Sequence, residues 1–233
     1  MKRLSILLVF LVFLFSCSSM SMNLDNDANT SSSSEDEIVS ALTLLLSDTF
    51  SLTKENISIT NEEIADASGN LDQYENYLPR FDELKESYLS SLSNLAENAA
   101  RDAIDYLESL NIVISSNSRS FINDRTLSSF LRSSIKENVR MHIVSYLRSN
   151  SSDARAIYDA VKTECDIINV NMENLRKVGA DLYLPRFEFI SYSSFADIIF
   201  NILFDRLEEN EIILKNRPLD EDTDPLYRVF WSY

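Results

Sequence analysis

Residues 193–214 read SSFADIIFNILFDRLEENEIIL, and the helix they would wind is apolar over more than half its circumference, on Phe195, Ile198, Ile199, Phe200, Ile202, Leu203, Phe204 and Leu207. A helix with that much apolar surface must bury it against neighbours on several sides, so this segment predicts the central helix of a multi-helix bundle. Upstream, Leu84, Tyr88, Leu92, Leu95, Ala99, Ala103, Leu107 and Leu110 recur every three or four residues. They predict a helix over 81–110, with Pro79, Asp82 and Glu83 at its start. Leu127, Leu131, Ile135, Val139, Ile143 and Leu147 predict another over 126–148. Ile157, Val161, Cys165, Ile168, Met172 and Leu175 predict a third over 153–178. A shorter helix is expected over 36–48 on Ile38, Leu42 and Leu45, whereas 56–76 is polar and irregular and is given no element.

Composition agrees with an all-α globular bundle. Only two glycines occur in 233 residues, against a usual frequency of about 7%. Walker loops, dinucleotide fingerprints and nucleophile elbows need clustered glycines where backbone approaches a phosphate or turns sharply, so those chemistries are excluded. Hairpins lean on glycine and proline as well, which argues against a strand architecture. His142 is the single histidine, so a multi-histidine metal site is excluded, and its sequence neighbours offer no carboxylate to orient it. Paired acids such as Glu208-Glu209 and Asp102-Asp105 are ordinary in a chain with 37 carboxylates. Neither an enzyme nor a cofactor is expected.

The N-terminus predicts location. Lys2 and Arg3 precede a twelve-residue apolar run, Leu4–Phe15, and then Cys17. The run falls short of the roughly 20 residues a permanent span needs and has the layout of a secretory signal, so residues 1–16 are expected to be removed. Leu14-Phe15-Ser16 before Cys17 resembles the lipobox of bacterial lipoproteins, with Phe15 departing from the usual small residue. The resemblance implies lipidation of Cys17 and a cell-envelope location, with the outer membrane favoured. An ordinary secretory signal would instead leave a soluble protein. Residues 17–37, with four consecutive serines at 31–34 and acids at 25, 27 and 35–37, predict a disordered tether, and 38–233 the helical domain. Losing Lys2 and Arg3 takes the formal charge from −16 to −18, which repels nucleic acid and anionic lipid headgroups. The expected membrane partner is therefore engaged through the lipid alone. With Cys17 lipidated, Cys165 has no cysteine to pair with, and its place in the apolar stripe predicts a buried, inert thiol.

From Leu203 to Phe230 the chain carries Phe204, Glu211, Leu214-Lys215, Pro218, Thr223, Leu226 and Val229-Phe230 at fixed spacing. This segment resembles, without a gap, the closing signature of the bacterial domain of unknown function 4197, in which an Ile-Arg pair stands where this chain has Leu214-Lys215. Tyr77-Leu78-Pro79, Asn94, Ala96-Glu97, Asp153-Ala154 and Val178-Gly179-Ala180 are weaker echoes in the same order. The resemblance implies a mostly helical exported domain and no particular activity.

Tyr77-Leu78-Pro79-Arg80-Phe81 recurs as Tyr183-Leu184-Pro185-Arg186-Phe187. Both copies read as helix entrances, proline fixing the first turn and phenylalanine stapling it to the core, and side by side they would present Arg80 and Arg186 as a positive surface for a partner. Two acid clusters have the alternate spacing of calcium loops. Asp220, Asp222 and Asp224 have Pro225 where glycine is required, and Asp25, Asp27 and Asn29 have Thr30 there. The functional expectation is a membrane-anchored helical interaction or scaffolding module that binds an envelope protein. The alternative is a carrier of small apolar ligands, with Phe195, Phe200, Phe204, Phe230 and Trp231 lining a cleft between helices.

Overall fold

A computed structural model describes residues 35–69, 71–78, 80–110, 112, 114, 120–123, 126–179, 186–219 and 223–231, and every regular element among them is helical. The helices are α1 (Glu35–Asn56), α2 (Phe81–Ser109), α3 (Ser120–Asn123), α4 (Leu127–Ser134), α5 (Lys136–Asn150), α6 (Ser152–Arg176) and α7 (Tyr192–Lys215). Three 3₁₀ segments accompany them, at Ala65–Ser68, Leu71–Tyr74 and Pro225–Trp231. The expected signal, Cys17 and the expected tether before Glu35 lie outside the described residues.

The apolar 193–214 segment forms α7, which packs against α1, α2, α4 and α5 and so takes the central position its composition demands. Ser191 caps its start, accepting from Ser194 N–H at 3.1 Å. Phe195, Ile199, Leu203, Phe204 and Leu207 are fully buried along it, each contributing about 1.5–3 kcal/mol relative to exposure. α2 lays Ala96, Ala99, Ala100 and Ala103 against its neighbours at zero exposure, small side chains that leave room for larger partners. Val161, Cys165 and Met172 turn inward from α6 as the periodicity predicts. Burial pushes the Cys165 thiol up to about 12, which keeps it protonated.

Three expectations about the elements need correction. α1 begins at Glu35 and runs to Asn56, so residues 35–37 belong to the domain and the helix continues well past Asp48. The buried hydroxyls beyond Asp48 are satisfied, Thr49 donating to Leu45 O at 2.7 Å and Thr53 accepting from Asn210 Nδ2 at 2.9 Å, which lets polar residues enter the core. The helix predicted over 126–148 breaks at Ile135, where φ is −122° and ψ 15°. Ser133 and Ser134 both donate to the Phe130 carbonyl at 2.9 Å just before the break.

The irregular stretch from 57 to 78 is a buried strap. Ile57, Ile59, Ile64, Leu71 and Tyr74 are all at most 3% exposed. Ser93, Glu97 and Arg101, one turn apart on α2, clamp its start. Ser93 donates to Ile59 O, Glu97 Oε1 accepts from Ile59 N–H at 3.1 Å, and Arg101 donates to Ile57 O at 3.0 Å. Thr60 and Glu63 exchange hydrogen bonds as a capping box, the Thr60 N–H reaching Glu63 Oε2 at 2.8 Å and the Glu63 N–H reaching Thr60 Oγ1 at 3.3 Å.

The two repeated pentapeptides do not act alike. Phe81 opens α2 directly, whereas Phe187 begins a non-helical run that reaches Ser191 before α7 starts. Phe187 (1% exposed) joins Tyr88, Tyr158 and Phe189 in an aromatic cluster, with Tyr88 and Phe187 edge-on at 5.9 Å and Tyr158 and Phe189 edge-on at 5.2 Å. Within it the Tyr158 hydroxyl donates to Phe187 O at 3.3 Å, while the buried Tyr88 hydroxyl makes no hydrogen bond to any described residue. Burial also raises the Tyr88 pKa, so that hydroxyl stays neutral. Tyr88→Phe is therefore expected to leave stability unchanged or raise it by up to about 1 kcal/mol in urea unfolding, while Tyr158→Phe lowers it by a similar amount.

Candidate functional site

Phe195, Phe200 and Phe204 lie within the core at 0–1% exposure, Phe230 is half-buried and Trp231 is 56% exposed. They do not converge on a cleft. α7 turns its three phenylalanines toward neighbouring helices, with Phe200 and Phe204 in contact at 4.6 Å. The residues after Asp224 do return to the core, but through Tyr227 and Val229, with Leu226 and Phe230 packed against its edge. Trp231 does not join them. The Tyr227 hydroxyl donates to Asp48 Oδ2 at 2.8 Å and fastens the 3₁₀ segment to α1.

The expected positive surface is also corrected. Arg80 holds a left-handed backbone conformation, φ 62° and ψ 35°, ahead of α2, and its guanidinium binds Glu83 with Nε at 2.6 Å. Glu75, Asp82 and Glu83 share its groove, so the surroundings of Arg80 are acidic. Arg186 stands at an exposed position. Of the proposed calcium ligands, Asp220, Asp222 and the 25–29 cluster lie outside the described residues. Asp224 caps the closing 3₁₀ segment, accepting from Leu226 N–H at 2.9 Å. Among the described residues no three His, Cys, Asp or Glu side chains gather closely enough to hold a metal ion, and no helix is long and apolar enough to cross a membrane.

His142 does have a carboxylate partner. Its Nε2 lies 2.7 Å from Asp102 Oδ2, across the contact between α5 and α2, and the Tyr106 ring stacks on the imidazole at 4.4 Å and 10°. Asp102 and Tyr106 are one turn apart on α2, as His142 and Tyr146 are on α5, but only the packing register of the two helices brings the pairs together. All four side chains are only partly exposed. Among the described residues, no Ser, Thr or Cys side chain makes a hydrogen bond to His142, so the arrangement orients the ring without presenting it to a nucleophile.

A second hub joins α7 to α4. Glu211, 1% exposed, accepts from Leu127 N–H at 2.7 Å through Oε1 and from Ser128 N–H and Oγ–H at 2.8 Å each through Oε2, while Lys215 Nζ lies 3.0 Å from Oε1. Lys215 also donates to Phe121 O at 2.6 Å. A buried carboxylate thus satisfies the open N–H groups at the start of α4, with a cation balancing its charge.

Large apolar side chains are exposed at several places, Ile212 and Ile213 at the end of α7 among them, and on and just past α6, where a groove accompanies them. Ile167, Val170 and Val178 are 58%, 59% and 81% exposed, and Leu175, expected inside, is 47% exposed. At 3.6 residues per turn Ile167 and Val170 fall about 60° apart, opposite Val161, Cys165 and Met172, while Val178 lies in the turn just past the helix end at Arg176. α6 packs extensively against α2 alone among the helices, and every described residue from Glu173 to Gly179 is exposed. This explains why Leu175 leaves the apolar stripe: the helix extends past the body that would cover it. Thr163, Asp166, Ile167, Val170 and Asn171 form a shallow groove of about 330 Å³ along this face. Glu164 and Glu173 flank the groove and are exposed, with Glu164 near enough to the Arg80 guanidinium to favour its charge. The inward stripe alone predicts α6, although an outward one is present in the same residues.

No protein-family model, curated protein or solved structure matches the chain.

Proposed function

We propose that this chain is a lipid-anchored interaction module of the bacterial cell envelope, and that the outer face of α6 is its docking surface for a basic amphipathic helix of an envelope protein. The observation that carries the reading is the exposed pair Ile167 and Val170 on α6, continued by Val178 just past its end, opposite the buried Val161, Cys165 and Met172. Contiguous exposed apolar side chains rimmed by polar ones are what interaction sites offer, and a helix is the occupant that fits a row at helical spacing. Charge selects its chemistry. Glu164 and Glu173 beside the row, on a chain of formal charge −16, favour lysine and arginine on the partner and disfavour an anionic lipid surface.

Anchoring rests on Cys17 behind its apolar run. Cys17→Ser is expected to move the protein from the detergent-rich to the aqueous phase in phase separation of cell extracts, because N-terminal acyl chains supply the membrane affinity. An unchanged distribution would remove the lipid from the proposal. The resemblance at 203–230 supports an exported helical domain, and the hub gives two of its charged residues, Glu211 and Lys215, a structural reason for their spacing.

A further inference from the structure

Where α5 gives way to α6, the chain turns against the middle of α2 and leaves a groove of about 470 Å³, within the size range of small-ligand sites. α2 presents Ser87, Ser91 and Asn94 to it, α5 presents Tyr146 and Asn150, and α6 presents Asp153. The hydrogen-bonding capacity of this lining is largely unused within the protein. Ser87, Ser91, Asn94 and the Tyr146 hydroxyl make no side-chain hydrogen bond to another described residue. Asn150 donates through Nδ2 to Tyr146 O at 2.9 Å and keeps its carboxamide oxygen available. Partial burial and the nearby Asp102 charge raise the Tyr146 pKa, so its hydroxyl remains a neutral donor and acceptor.

The lining selects by chemistry. It contains no lysine or arginine and one carboxylate, which disfavours phosphates and carboxylates. Its apolar part is limited to Leu95, Ala154 and Ile157, too little for an acyl chain and without the alternating side-chain pockets an extended peptide needs. Hydroxyls and carboxamides both donate and accept, matching a ligand whose own groups do the same. The Tyr146 ring and Ile157 supply an apolar surface for the C–H face of a sugar ring. We propose that the groove between α2, α5 and α6 binds a neutral saccharide, at a site separate from the outer face of α6.

Saturation-transfer NMR on the purified full-length chain, with maltopentaose and chitopentaose as probes, tests this. Saturable transfer to at least one oligosaccharide is expected, and Asn94→Leu and Tyr146→Phe should each weaken it about tenfold, the scale of one lost hydrogen bond in a partly desolvated site. Asn94 is exposed and Tyr146→Phe keeps the ring, so unchanged thermal unfolding is expected to show that both variants fold. Ile167→Asp, about 15 Å further along α6 than Ile157, should leave saccharide binding unaltered, which separates this proposal from the docking surface. Absence of saturable transfer to both probes, binding indifferent to both groove substitutions, or competition by inorganic phosphate would overturn it.

Discussion

Glu211→Ala is expected to lower the stability of the fold by about 3–5 kcal/mol. The carboxylate is sealed at 1% exposure and serves four groups: the N–H groups of Leu127 and Ser128, the Ser128 hydroxyl and the Lys215 ammonium. Truncation leaves two backbone donors at the α4 start without an acceptor and a largely buried cation without its counter-charge, and each of those is more costly than the original bond was favourable. Glu211→Gln keeps the shape but turns a donating NH₂ toward one of these donors, so most of the loss should remain. Urea unfolding followed by circular dichroism measures it. A loss under about 1 kcal/mol would mean that water replaces the carboxylate at the α4 start, and that the hub does not hold α7 to α4.

The second large effect concerns binding. Combining Ile167→Asp with Val178→Asp is expected to reduce affinity for the docked partner by about 100-fold or more, because apolar residues at the centre of an interface dominate its energy. The new carboxylates also stand where an apolar partner surface would have to desolvate them. Stability of the isolated protein should shift by no more than about 0.5 kcal/mol, since Ile167 and Val178 are 58% and 81% exposed and support no packing in the core. The contrast with Glu211 is the useful feature: one substitution should strongly destabilise the fold, while the other pair should leave its stability intact and the protein unable to dock.

Which parts of this arrangement were legible in the sequence follows from the range of the interactions involved. α7 and α2 declare themselves because their burial repeats at the helical period over more than twenty residues, and no neighbour is needed to see it. The break at Ile135 leaves no such mark. No proline or glycine stands there, and the Ser133 and Ser134 bonds to the Phe130 carbonyl beside it are of a kind that unbroken helices also hold. The strap is missed because Ile57, Ile59, Ile64, Leu71 and Tyr74 share no single period, so their burial reflects the groove they fill. Glu211 and Leu127 are 84 residues apart and His142 and Asp102 are 40 apart. Both pairings depend on how two helices slide past each other, which residue spacing within either helix does not encode. The aromatic cleft failed for a related reason: phenylalanines numerous enough to line a cavity are, on a helix surrounded by four others, drawn fully into the core.

The outer face of α6 was readable in principle, since Ile167 and Val170 fall on one side of the helical wheel and Val178 follows the helix end. What the sequence lacks is the information that, among the described residues, none covers that side. Exposure turns the same three residues from a second core stripe into a candidate surface, and the neighbouring glutamates then specify what sort of helix would cover it.

Photo-cross-linking in intact cells tests that assignment most directly, with a photoreactive side chain placed at Val170 or Val178 and, as controls, at the exposed positions Glu55 and Asp66. Cross-links from both α6 positions should map to one lysine- or arginine-bearing amphipathic segment of a single envelope protein, disappear when Ile167 is changed to Asp, and be absent from the control positions. Cross-links of equal yield from all four positions, or none from α6, would contradict the docking role.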